Sequence, residues 1–337
     1  LRVDKNTAHL ISQEIDMHLT GFRRCVIAAA LAILPLSASL AQANKPITLI
    51  VGASPGGTTD RVARGIAQEM SDLLKQTVIV ENKPGAGGNI AADTVARSSK
   101  DGDTLLVSFT SFSVNASLYK KLPFDPKKDF TPISLLAEVP SVLVARKDFP
   151  ANNIAELIAL AKKNPGDYSF AVGGIGSSLH MATASFQMDA GIEGLTVPYK
   201  GTAPAVQDLI GGQVDLMFAS VENVLPLVGS DRIKFLGVTS TQPMKQFAGV
   251  PPISNTLSGF TSKAWFGMFG PAGMAPERVK QLNDAVVAGA KNARFVSLMT
   301  HGGGEVVTNT PQEFSDYVAK DIEHYAKVVE FTGATVE

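Results

Sequence analysis

The sequence predicts an α/β protein of two doubly wound lobes with a ligand cleft between them. Three observations carry this reading. Short apolar runs rich in β-branched residues alternate with segments of helical periodicity, the pattern of strands joined by crossover helices. The number of strands and the 337-residue length suit two sheets better than one. Gly-rich or polar loops follow strands at 52–60, 108–115, 173–180 and 198–203, where open α/β sheets carry their ligands.

The N-terminal segment reads as an export signal. From Met17, Arg23 and Arg24 form a basic region, Cys25 to Leu36 an apolar region, and Ala41-Gln42-Ala43 a small-residue cleavage site. The apolar region is too short for a hydrocarbon core of about 30 Å. Residues 1–16 are polar and precede a good start, so they read as an over-extended gene start, with 17–43 as the signal peptide. Cys25 is the one cysteine and leaves with the signal, so neither disulfides nor thiol chemistry are expected afterwards. A net charge of −1 gives no sign of nucleic acid or of an anionic membrane surface as partner.

The elements follow in order. "ITLIV" (47–51) is a strand, and Val62, Ile66, Met70 and Leu73 then recur at helical spacing. Further strands are expected at 77–81, 104–108, 142–146, 168–172, 214–218 and 233–238. Helices are expected near 89–98, 153–163, 178–189, 202–210, 276–290 and 311–330, with Pro311 in a first turn. Alternation implies parallel sheets covered on both faces. No linker separates the lobes, so the chain is expected to cross twice, with hinges near 139–143 and 238–242. Lobe 1 is then 44–141 and 241–337, and lobe 2 is 142–240.

The first loop contains Gly52-Ala53-Ser54-Pro55-Gly56, which matches the G-x-S-x-G nucleophile elbow. The match fails chemically. The oxyanion hole needs the N–H of the residue after the nucleophile, and Pro55 has none. Proline also pushes Ser54 toward extended geometry. His180, His301 and His324 carry no motif marking a base; His301 reads as a turn residue and His324 as a surface residue of an amphipathic helix. A serine hydrolase is therefore disfavoured, and no catalytic residue is expected.

The opposite use fits better. Gly56 and Gly57 let the chain turn, Thr58 and Thr59 open a helix, and its free N–H groups with the Ser54, Thr58 and Thr59 hydroxyls suit an anionic oxygen. A plain capped turn is the competing reading. Asp60 is either a first-turn acid facing the helix dipole or an acceptor for a ligand hydroxyl or ammonium. "VGGIGSSLHMA" (172–182) repeats the logic with Gly174, Gly176, Ser177 and Ser178. Neither loop contains Lys or Arg, so a carboxylate would be held by neutral donors and water. "NKPGAGGN" (82–89) lacks dinucleotide-loop spacing and reads as a structural turn. No metal-ligand spacing is present, and no cofactor is expected.

The blocks "PGGTTDRVAR", "VIVENKPGAGGNIAADTVARS", "FTPISLLAEVPSVLVA", "GIGSSLHMA", "VPYKGTAPAVQDLIGGQVDLMF" and "WFGMFGPAGMAPERVKQLN" occur in this order. Together they closely resemble the Bug family of periplasmic solute receptors, the binding proteins of tripartite tricarboxylate transporters. The resemblance runs from about Pro46 to the C-terminus. It implies a type II periplasmic binding protein fold, a periplasmic location, and a small carboxylate gripped between Ser54–Asp60 and Gly174–His180. It adds Tyr199, Lys200 and Ser220 to the cleft, with Thr110, Ser111 and Asn115 from the third strand loop. His180 is read either as a ligand contact or as a helix residue satisfied by backbone. Trp265 and Phe266 read first as core. Large and small membrane subunits of such a transporter are the implied partners, a membrane sensor the alternative, and a monomer is expected. "DGDT" (101–104) departs from the usual aromatic third residue of that block, which implies a local effect only.

Overall fold

Buried on both faces, β1 (Ile47–Val51) shows how the sheet is built. Ile47, Leu49 and Val51 pack with Val62, Ile66 and Met70 of α1 (Thr58–Leu74), while Ile50 joins Ala91, Ala92 and Val95 of α2 (Asn89–Ala96) on the other face. Such two-sided burial explains an apolar run without alternation. The computed structural model describes residues 45–337; the expected gene-start extension and signal peptide lie outside them. Pro46–Glu337 pack as one compact unit.

After α1 come β2 (Val78–Asn82), α2, β3 (Thr104–Phe109), α3 (Ser111–Leu118) and the long β4 (Phe130–Arg146). The chain continues through α4 (Ile154–Lys163), β5 (Ser169–Val172), α5 (Ser178–Ala190), β6 (Leu195–Pro198), α6 (Thr202–Ile210), β7 (Leu216–Ser220), α7 (Val221–Val224) and β8 (Ile233–Val238). It closes with β9 (Lys263–Pro271), α8 (Pro276–Gly289), α9 (Ala293–His301), β10 (Glu305–Val306) and α10 (Pro311–Thr332).

The strands run β2-β1-β3-β9-β4-β7-β5-β6, with β8 and β10 also on β4. β4 joins two halves. Phe130–Pro140 pairs with β9, and Ser141–Arg146 with β7 and β8. Pairing fixes the directions. β1, β2 and β3 are mutually parallel, and β3 runs the same way as β4 because both oppose β9. β7 opposes β4, and β5 and β6 follow β7. The carboxyl ends of β1–β3 therefore face those of β5–β7. Phe109 lies level with Ala137 through Phe266, and Ser220 pairs with Ser141. The two sets of strand ends thus meet about 13 Å apart along β4.

Several expectations are corrected. The sheets are mixed: β4, β8, β9 and β10 pair antiparallel. Residues 108–115 are no loop, because β3 runs to Phe109 and α3 starts at Ser111. Phe112, Ser113, Val114, Asn115 and Leu118 are all buried, and a helix buried on nearly every side leaves no clear amphipathic signature. Leu73 is 50 % exposed, and Leu74 packs on the core in its place. His301 ends α9, ahead of the turn.

Two further elements hold the halves together. α10 starts with a full capping box, Thr310 with Glu313, and Pro311 at its first position. Its Phe314, Val318 and Ile322 pack with Trp265 and Phe269 of β9, and its Tyr325, Val328 and Val329 with Leu118 of α3 and Met181 of α5. Thr239, beyond β8, exchanges hydrogen bonds with Ser141: Ser141 N–H donates to Thr239 Oγ1 at 2.8 Å, and Thr239 N–H to the Ser141 carbonyl at 2.9 Å. Met244, Phe247, Ile253 and Phe260 pack into the clusters of the second half.

Candidate functional site

Loop 1 (52–57) lies between β1 and α1, and its shape is set by Asp60. Gly56 stands at φ +83°, a conformation that glycine adopts freely, and donates its N–H to Asp60 Oδ2 at 2.9 Å. Arg64 Nε donates to the same oxygen at 3.0 Å, and Asn82 Nδ2 to Oδ1 at 2.9 Å. Asn82 also donates to the Ala53 carbonyl at 3.0 Å. Asp60 is 3 % exposed. Burial works against its charge, but the Arg64, Gly56 and Asn82 donors prevail and hold the carboxyl below its ordinary value.

This arrangement leaves the helix end open. The N-cap is Gly57, with no side-chain cap. The N–H groups of Thr58, Thr59 and Asp60, the first turn of α1, meet no acceptor among the described residues. Ser54 is exposed and its carbonyl accepts the Gly57 N–H at 3.4 Å. Residues 85–89 buttress the loop from behind. A Cβ on Gly52 would sit 2.7 Å from Gly88 Cα, so the two backbones touch.

Loop 2 (173–177) lies between β5 and α5. Gly176 is buried at φ +78° and donates its N–H to His180 Nδ1 at 3.1 Å. Ser177 caps α5, its hydroxyl accepting the His180 N–H at 3.2 Å. The N–H groups of Ser178 and Leu179 have no acceptor among the described residues. His180 is 3 % exposed, and burial lowers its pKa from the ordinary value. Gly174 donates no side chain but its carbonyl accepts the Ser177 N–H at 3.2 Å. The β6–α6 loop closes over this one, with Gly201 N–H on the Gly173 carbonyl at 3.1 Å. Gly201 is the uncapped N-cap of α6.

The remaining expected residues divide. Tyr199 directs its hydroxyl to Asp208 Oδ2 at 2.7 Å and so braces α6. Lys200 is exposed beside it. Ser220 caps α7 by position, and its Oγ accepts from Asn223 at 2.6 Å. Thr110 is 1 % exposed, its hydroxyl accepting the Trp265 N–H at 3.0 Å. Ser111, 7 % exposed, opens α3. Asn115 spends its amide on the Gly87 carbonyl and on Asn89 Oδ1, at 3.1 and 2.9 Å. Trp265 is core, its Nε1 on Asp321 at 2.7 Å.

Three participants had no sequence signal strong enough to single them out. Asn82 ties β2 to loop 1, and the block "ENKPGAGGN" was its one pointer. Arg61 and Glu222 form an ion pair at 3.1 Å between α1 and α7, 161 residues apart. It spans the two sets of strand ends directly.

Mixed α/β halves with opposed strand ends define the class, a periplasmic-binding-protein fold. The family model described as tripartite tricarboxylate transporter family receptor matches residues 62–333. Among solved structures, the periplasmic binding protein BugD is similar at 36 % identity and TM-score 0.70, covering 87 % of this chain and 99 % of its own. Rpa4515 of R. palustris with adipate is 32 % identical, TM-score 0.72, covering 87 % and 99 %. MatC of Rhodopseudomonas palustris with bound malate is 32 % identical, TM-score 0.68, covering 84 % and 98 %. The chain belongs to the tripartite tricarboxylate transporter receptor family, of the TctC/Bug type.

Proposed function

We propose that this chain is a periplasmic receptor that grips a carboxylate of a small solute between loop 1 and loop 2, closes on it and presents it to the membrane subunits of a tripartite tricarboxylate transporter. One observation carries the reading. The strands that carry loop 1 and loop 2 point their carboxyl ends toward each other along β4, and the helix after each loop, α1 or α5, starts with unpaired N–H groups. Unpaired N–H groups at a helix start favour an anion. The adipate and malate of its relatives support a dicarboxylate, and the family match supports the transporter.

The same reading divides the chain at the β4 switch, Pro140–Ser141, where its partners change. We place the return crossing at Thr261–Lys263 and not near 241, because residues up to Phe260 pack with the second half. Lobes joined by two such strands close by a hinge.

A thermal-shift screen of residues 44–337, freed of carried-over solute by unfolding and refolding, tests the reading. The panel is adipate, malate, other C4–C6 dicarboxylates, citrate, acidic amino acids and benzoate-type acids. A true solute at 100 times its Kd stabilises the protein by about 2.7 kcal/mol. No shift from any carboxylate would overturn the carboxylate site.

A further inference from the structure

We propose that His180 is a positioning residue whose uncharged ring holds loop 2 in its binding shape, so that proton uptake by His180 weakens solute binding. The inference rests on the receptor reading above and concerns its second loop.

Gly176 gives its N–H to His180 Nδ1 at 3.1 Å. A ring nitrogen that accepts an N–H carries no proton, so the neutral ring keeps its proton on Nε2. A second proton on Nδ1 would set two N–H groups against each other. Gly176 has little room to yield, because it is buried and a Cβ there would lie 2.7 Å from Leu118 Cδ2 of α3. The loop must open instead. Ser177 moves with it, since its hydroxyl holds the His180 N–H. One proton therefore disturbs both the glycine turn and the cap of α5.

The surroundings favour the uncharged ring. His180 lines a cavity of about 390 Å³ with Gln187, Glu193, Thr196 and Phe331. Glu193 is the one other titratable group on that lining among the described residues, and it is exposed. From α3, the apolar Leu118 faces Gly176. Burial lowers the pKa of His180 from its ordinary value. In loop 1 the corresponding acceptor is Asp60, which keeps its charge at any pH near neutrality. Of the two acceptors, acidification from neutrality therefore reaches His180 first.

The test titrates the carboxylate that passes the thermal screen, adipate and malate being the first probes, into wild type, His180→Asn and His180→Gln from pH 7.5 to 5.0. An asparagine amide oxygen sits near the place of Nδ1, whereas a glutamine oxygen reaches toward Nε2. Protonation of the solute is common to all three proteins and cancels in their ratios. Below the pKa of His180 the wild-type Kd should rise relative to His180→Asn, at most tenfold per pH unit for one excluded proton. His180→Gln should bind weakly throughout. Equal pH slopes for wild type and His180→Asn across the pH range in which the His180 ring itself titrates, followed by its NMR shifts, would overturn the proposal. So would affinity that rises on acidification, which would make His180 a cation toward the solute. Exchange of the Gly176 amide in solute-free protein gives a second readout that needs no solute. It should be slow in wild type and His180→Asn at pH 7.5 and fast in His180→Gln. A fast Gly176 amide in wild type would overturn the brace even if a solute binds, and a slow one would uphold it even if the carboxylate screen fails.

Discussion

Gly56 and Gly176 occupy equivalent places in the two loops. Each precedes the N-cap of a helix, each has positive φ, and each donates its N–H to the side chain four residues on. The acceptors differ in kind. Asp60 is a charged carboxylate served by Arg64 and Asn82 as well, whereas His180 is an uncharged ring. The caps differ in step, Gly57 leaving all of its helix's first-turn donors free and Ser177 consuming one. A buried carboxylate is stable only where donors and a cation meet it. Loop 1 has both, because Arg64 lies one turn further along the same helix. Loop 2 has no such cation on α5, so a neutral acceptor does the same backbone work. An anion bound as proposed would meet more free donors at loop 1 and less negative charge at loop 2.

The largest expected effect of breaking this comparison comes from Asp60→Ala. It leaves the Gly56 N–H, the Asn82 amide and the Arg64 guanidinium without their shared acceptor. Urea unfolding should show a loss of about 2–3 kcal/mol, with solute affinity lost because the loop relaxes. The pH dependence has a definite sign. The folded pKa of Asp60 is below its unfolded value, so its contribution is full above about pH 4 and is lost as pH falls through the lowered value. Stability above pH 5 that tracks pH through Asp60 would contradict this.

A pair of glycine substitutions comes next. Gly56→Ala meets open space, so only the φ of +83° resists it, at about 1–2 kcal/mol. Gly176→Ala has a similar φ and also drives its Cβ to 2.7 Å from Leu118, adding about 1–3 kcal/mol of overpacking. Parallel unfolding curves should rank Gly176→Ala as the more damaging. The reverse order would mean that α3 yields easily and that the two loops are equally free.

How much of this was legible follows from what each residue type signals. The strand–glycine–helix order of both loops was plain because glycine and the Ser/Thr pairs mark turns and helix starts by local sterics. The partners of those loops were not. Whether Asp60 faces a ligand or its own loop depends on Asn82, which arrives from the next strand. Tyr199, expected at the cleft, is satisfied by Asp208 of α6, the helix that follows it. β9 escaped because "KAWFGMFGP" is buried from Trp265 to Pro271, a run that lacks the alternation of a half-buried strand and that two glycines interrupt. Its Gly267 and Gly270 are needed because side chains there would collide with Phe314 and Met274. α3, buried on nearly every side, escaped through burial as well.

The smallest effect is expected at the Arg61–Glu222 pair, which sharpens the comparison by joining the two sides. The side chains are 42 % and 48 % exposed, so the attraction is screened and worth less than about 1 kcal/mol. It nonetheless spans the gap directly, with Arg61 on the helix of loop 1 and Glu222 on the helix after β7. Glu222→Gln should therefore leave unfolding almost unchanged yet weaken solute binding by no more than about fivefold at low salt. The difference should fade near 1 M salt, where the screening length falls to about 3 Å. A salt-independent loss would show that Glu222 shapes the site by packing. An unchanged affinity at low salt would show that the pair is absent from the solute-bound state.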